Sequence, residues 1–202
     1  MKYIKWKILV STCLVCLLPI FLGLALWNKL PDSMAIHFNL YNEADNFASK
    51  EFVVFGLPLL MVLVQIFCCF ITDFNSNKHG ERIKFERVVK WIIPVITILL
   101  QIITFAYSLG LNIDIRKAVA VIVGTMFIML GNYLPKLDYV KNYDIDSEKA
   151  RKINRFIGFE TVILGILLLI TIFLPPIATI IWFILLILYT VISIIYAVNV
   201  CR

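Results

Sequence analysis

Histidine is scarce in this 202-residue chain: only His37 and His79 occur. Neither belongs to a His-x-x-x-His or HExxH pattern, which excludes the usual helical zinc sites. A GxSxG elbow, a phosphate-binding glycine loop and a pair of aspartates within an apolar run are also missing, so the common hydrolase and nucleotide-binding signatures are excluded. Charge is low, at 16% of residues. The cysteines are Cys13, Cys16, Cys68, Cys69 and Cys201, an odd number that argues against a closed disulfide framework. Cys13-x-x-Cys16 has redox or metal spacing, but within an apolar run it reads as packing, because a free cysteine behaves as a small buried hydrophobe. Short alternating strands are lacking, which argues against a membrane β-barrel.

What the chain does contain is hydrophobic: 61% of its residues. Six apolar runs cover roughly 8–27, 52–72, 91–110, 118–134, 157–174 and 177–198. About 20 apolar residues in a helix cross a hydrocarbon core about 30 Å thick. The bilayer offers the backbone no hydrogen-bond partners, so each run is expected to be an α-helix. The reading is an all-α polytopic membrane protein. Residues 1–202 form one six-helix domain, with an outer loop at 28–51 and cytoplasmic loops at 73–90 and 135–156. The first run resembles a signal peptide in its basic start, yet it is too long and lacks a small-x-small site, so it is expected to remain a span.

The net charge of +6 is unevenly placed. Fifteen of the 19 Lys and Arg fall on one side of the six-span layout, and only Lys29, Lys50, Arg116 and Lys117 fall on the other. By the positive-inside rule both termini are expected in the cytoplasm. The basic balance is thus a topology signal, aided by anionic lipid, and gives no reason to expect direct nucleic-acid binding.

The outer loop is long, polar and rich in turn formers, and carries Trp27, His37, Phe38, Tyr41 and Phe47 at its edge or within it. Long loops in compact proteins are usually functional or disordered. With that much aromatic surface, this one is expected to be an ordered cap folded back on the bundle. The inner loop at 73–90 begins polar and becomes amphipathic, so its second half is expected to form a helix on the membrane surface that runs into the third span. In the second inner loop, Asp146 or Ser147 is placed to cap a helix that enters the fifth span.

Charge inside a membrane is costly, so an intramembrane carboxylate is a functional candidate. Glu160 reads as the only one. Asn132 and Tyr133 lie at similar depth and Lys136 and Arg155 flank them at the interface, which permits an inner cluster; the alternative is that Glu160 reaches the interface or pairs with one base for structural reasons. Gln65 and Gln101 are more central and read as interhelical hydrogen-bonding groups.

Two local patterns carry a resemblance. Leu30-Pro31-Asp32, His37-Phe38, Asp45 and Ser49-Lys50 resemble the LPD…HF…D…SK loop signature of SdpI-like membrane proteins. Gly131-Asn132-Tyr133-Leu134-Pro135-Lys136 resembles their GNYLPK motif, and Arg155, Gly158 and Gly165 match an R-x-x-G-x(6)-G pattern. Ala35 and Asn42 stand where that family often has proline and glycine, and DYVKNYDIDS replaces its IRTPW-type segment. The resemblance implies a multispanning immunity protein of a bacterial plasma membrane. It would protect the cell from a secreted, membrane-active peptide toxin by non-covalent binding or shielding, and could also capture a cytoplasmic repressor.

On that reading the chain is no enzyme and needs no cofactor or metal. His37 and Phe38 anchor the loop or contact the toxin, Asp45 and Lys50 pin it as a salt bridge, and Pro31-Asp32 starts a turn. Asn132, Tyr133 and Lys136 set packing between the fourth and fifth spans, with Pro135 ending the helix. The rival readings are a small transporter or channel and, less favoured, a membrane enzyme that degrades the peptide.

Overall fold

The computed structural model describes residues 4–79, 83–136 and 147–201. Six α-helices follow one another: α1 (Trp6–Ala25), α2 (Leu57–His79), α3 (Ile83–Ser108), α4 (Ile115–Tyr133), α5 (Ser147–Ile170) and α6 (Ile177–Cys201). All six are long and apolar enough to cross a membrane. Pro19 and Pro94 lie within α1 and α3, and both prolines are buried. The 73–90 segment, expected as a loop, is helical on both sides of residues 80–82: α2 runs on to His79 and α3 already starts at Ile83. The amphipathic stretch is therefore the first part of α3, continuous with the span as expected. α5 begins at Ser147, while Asp146 lies outside the described residues.

The chain divides into two compact units, one holding residues 1–77 and 81–118, the other 78–80 and 119–202. In the first, α1 packs on α3. Gly23 makes this approach possible: a Cβ there would stand 2.6 Å from Val54 and 3.1 Å from Phe105. Between α1 and α2 the chain forms a β-hairpin, β1 (Ser33–Phe38) with β2 (Ala44–Ser49), and then a π-helical turn at Phe52–Gly56. Leu30, Met34, Val53, Val54 and Phe105 form the buried core beneath the hairpin.

The π turn explains a central polar residue. The Leu57 N–H goes to the Phe52 carbonyl, five residues back. The next residue, Pro58, has no N–H to give. The Val53 carbonyl is satisfied from another helix instead: Gln101 Nε2 of α3 donates to it at 2.6 Å. Gln101 is an interhelical hydrogen-bonding group, as its sequence position suggested, and its partner is a backbone oxygen left over by a proline.

In the second unit α4 and α5 run antiparallel through two glycine pairs. A Cβ on Gly131 would lie 2.6 Å from the Gly158 carbonyl oxygen, and one on Gly165 2.7 Å from that of Gly124. The two glycines on each helix are seven residues apart, close to two turns, so each pair falls on one face. Small residues let backbones approach where lipid supplies no hydrophobic drive for association. α6 packs on α5 through Trp182, whose Nε1 donates to the Leu164 carbonyl at 2.8 Å, and through Thr161 and Tyr189, 2.8 Å apart.

Candidate functional site

The hairpin is built by local chemistry. Asn39 starts its turn: its side-chain oxygen accepts from the Tyr41 and Glu43 N–H groups, at 2.9 and 3.0 Å. Asn42 adopts a left-handed φ of 66°, a conformation asparagine tolerates better than most residues. It stands where the resembled family often has glycine, so the backbone demand is met by a different residue. Its side chain also donates to the Ile113 carbonyl at 3.1 Å and accepts from Ile115 N–H at 2.7 Å, tying the hairpin tip to the α3–α4 connection.

Lys50 holds the other end of the hairpin. Its backbone N–H donates to the Asp32 carbonyl at 2.9 Å, and its ammonium to Asp32 Oδ1 at 2.9 Å and to the Leu30 carbonyl at 3.4 Å. The same ammonium lies 5.0 Å from the centre of the Trp27 ring, within cation–π range. The hydrogen bond from Lys50, with its charge, holds the Asp32 carboxyl below the ordinary carboxylate value. Pro31-Asp32 does not start the turn; the chain turns before it, where Lys29 and Leu30 N–H both reach the Leu26 carbonyl, and Pro31-Asp32 leads into β1.

The expected Asp45–Lys50 salt bridge is not formed. Asp45 Oδ1 instead lies 2.5 Å from His37 Nδ1. The register accounts for this. Ala35 faces Phe47 and Phe38 faces Ala44, an alignment that sets Asp45 beside His37, while irregularities on either side of His37 bring it opposite Asn46 in between. Lys50 lies past the end of β2 and is turned inward. Ser49 accepts from Phe52 N–H at 3.3 Å as the chain enters the π turn.

Of the aromatic residues expected to fold back, Phe38 packs edge-on against Tyr107 at 4.7 Å and Trp27 lies 5.7 Å from Phe55. Tyr41 and Phe47 do not fold back: they are 76% and 55% exposed. A hairpin braced at both ends thus displays Tyr41, Phe47 and Ile36 outward.

Glu160 is not the sole carboxylate within the spans. Asp73 on α2 and Glu86 on α3, counted as loop residues in the sequence, are buried inside helices. Lys90 Nζ contacts Asp73 Oδ1 at 2.5 Å, Lys5 Nζ contacts Glu86 Oε2 at 2.8 Å, and Lys5 N–H donates to Asp73 Oδ2 at 3.1 Å. Gln65 extends the network, donating to the Lys90 carbonyl at 2.9 Å and to Thr12 Oγ1 at 2.8 Å. Four charges and a glutamine join α1, α2 and α3. The sequence carries the signal as acids and bases at the ends of adjacent apolar runs, which the helices extend to include.

The expected inner cluster, taken with Pro135, divides. Asn132, Pro135 and Arg155 line one open cleft of about 530 Å³ in the second unit. Lys136 lies over the Tyr133 ring at 5.2 Å, and Glu160 accepts from Ser193 of α6 at 3.3 Å. Arg155 and Glu160 are five residues apart on α5, about 140° around the helix, so they face different neighbours. Among the described residues, no group of three metal-binding side chains occurs.

A family model described as a domain of unknown function (DUF1648) matches residues 14–62. That segment begins within α1, takes in the whole hairpin and the π turn, and ends in α2. No curated protein and no solved structure matches the chain.

Proposed function

We propose that this protein is an SdpI-like immunity protein of a bacterial plasma membrane. It lies with both termini in the cytoplasm and the hairpin on the outer face, and neutralises a secreted membrane-active peptide without covalent chemistry. The observation that carries this reading is the braced hairpin with outward Tyr41, Phe47 and Ile36, which offers an apolar peptide a preformed surface. The loop signature and the GNYLPK motif support it by resemblance, and the charge asymmetry supports the orientation. Capture of a cytoplasmic repressor at the basic face is the signalling extension of the same reading. A transporter path past Gln65 and Gln101 is less favoured, since both are buried and hydrogen-bonded to neighbouring helices.

The test is survival of a peptide-sensitive bacterium that expresses the protein, with peptide integrity followed in parallel. Tyr41→Ser/Phe47→Ser is expected to abolish protection at unchanged membrane abundance, and the peptide recovered from protected cells is expected to be intact. Full protection by the double variant would overturn the hairpin assignment, and cleaved peptide would replace binding with proteolysis.

A further inference from the structure

The cleft of the second unit combines charge and apolar surface in a definite order. Along α5 the sequence changes from SEKARKINR to FIGFETVILG, and Arg155 is the last cation before the apolar run. Arg155 and Lys152 line the cleft, as does Asn132 of α4, and among the described residues no carboxylate lines it. Lys152 is paired with Glu148 at 2.8 Å, whereas no described residue pairs with the Arg155 guanidinium. Phe159 and Val162 follow Arg155 at four and seven residues, the spacing of one helical stripe, and line the same cleft. Phe159 is 68% exposed. Phe156 and Tyr196, stacked at 4.1 Å, supply another wall.

We propose that this cleft binds an anionic phospholipid, with the headgroup phosphate held by Arg155 and Asn132 and an acyl chain along Phe159 and Val162. The phosphate chemistry alone would also suit a free anion. The apolar stripe directly beyond the guanidinium favours the lipid, because a free phosphate has no use for it. Basic pockets between spans at the cytoplasmic interface are the usual setting for such headgroups. The inference does not depend on the immunity reading, since it needs only the helices of this unit to cross a membrane.

The experiment reconstitutes the full chain in phosphatidylcholine nanodiscs doped with phosphatidylglycerol and counts retained phosphatidylglycerol by native mass spectrometry. Arg155→Gln is expected to lower retention about fivefold. Arg151→Gln removes the same charge from the same helix outside the cleft and is expected to retain lipid like the parent. Equal losses in the two variants would reduce the effect to general surface charge and overturn the site, as would undiminished retention by Arg155→Gln. Should Arg155→Gln unfold in phosphatidylcholine alone, Phe159→Ala decides: weakened retention supports the site and unchanged retention overturns it. Inorganic phosphate is titrated separately in phosphatidylcholine. An Arg155-dependent thermal shift with phosphate, without lipid retention, would overturn the lipid assignment in favour of a free anion.

Discussion

Lys90 on α3 and Asp73 on α2 meet at 2.5 Å, and each side chain is only 1% exposed. A charge pair so deeply buried is weak evidence for net stability, because desolvating both ions offsets much of their attraction. What the pair does supply is register between α2 and α3. Each charge can be satisfied only if the two helices are aligned as they are, with Lys5 and Glu86 beside them.

Removal of one partner is therefore expected to be far worse than removal of both. Asp73→Leu leaves the Lys90 ammonium buried and uncompensated, at a cost of about 3–5 kcal/mol. Asp73→Leu with Lys90→Met should recover most of that loss. Equilibrium unfolding in mixed micelles checks both. A double variant as unstable as the single one would show that the pair acts through more than charge neutralisation.

Lys50→Met should loosen the hairpin, because it removes the ammonium from Asp32, from the Leu30 carbonyl and from the Trp27 face together. Limited proteolysis should cut within residues 28–51 several-fold faster, with α1 and α3 still intact.

The Asp32 carboxyl titrates lower in the folded protein than in the unfolded chain, so its contribution is full above the ordinary carboxylate range, near pH 3.9. It is lost as pH falls through the lower folded value. Proteolysis of the hairpin in the parent should accelerate only in acid below about pH 4, and Asp32→Asn should remove that step. Acceleration already at pH 6 would assign the transition to another group.

Gly131→Ala and Gly158→Ala each place a methyl group within 2.7 Å of a backbone carbonyl oxygen on the facing helix. The helices must separate, and a loss of about 1–3 kcal/mol is expected. Gly110→Ala meets nothing within 4 Å but must adopt a φ of +85°. Its cost should be backbone strain alone, about 1 kcal/mol, with α4–α5 packing unaffected. Cysteine crosslinking between α4 and α5 separates the two effects.

Gln101→Leu leaves the Val53 carbonyl without its donor, at a cost of about 1 kcal/mol by the usual scale of interhelical bonds. Pro58→Ala restores an N–H next to the π turn and is expected to relieve part of that cost. Unfolding of the two single variants and the double variant measures the coupling.

Much of this molecule is local and was legible in its residues. The six spans follow from run length against bilayer thickness, a property of each segment alone. Gln65 and Gln101 announced interhelical bonds because a polar amide in an apolar run has few other ways to be satisfied. That residues 28–51 form an ordered segment followed in part from aromatic content, since Trp27 and Phe38 pack inward whereas Tyr41 and Phe47 stay exposed. The partners were not legible, because pairing depends on how segments separated in sequence are brought together. The alignment of the two strands sets His37 beside Asp45 and Asp32 beside Lys50. Extension of α2 and α3 beyond their apolar runs turned loop charges into a buried network. Facing directions 140° apart on α5 split the cluster around Glu160. Composition determined which segments are helices that can cross a membrane; only tertiary structure decided which polar groups meet, because a hydrogen bond or ion pair needs ångström-level register that no single segment encodes.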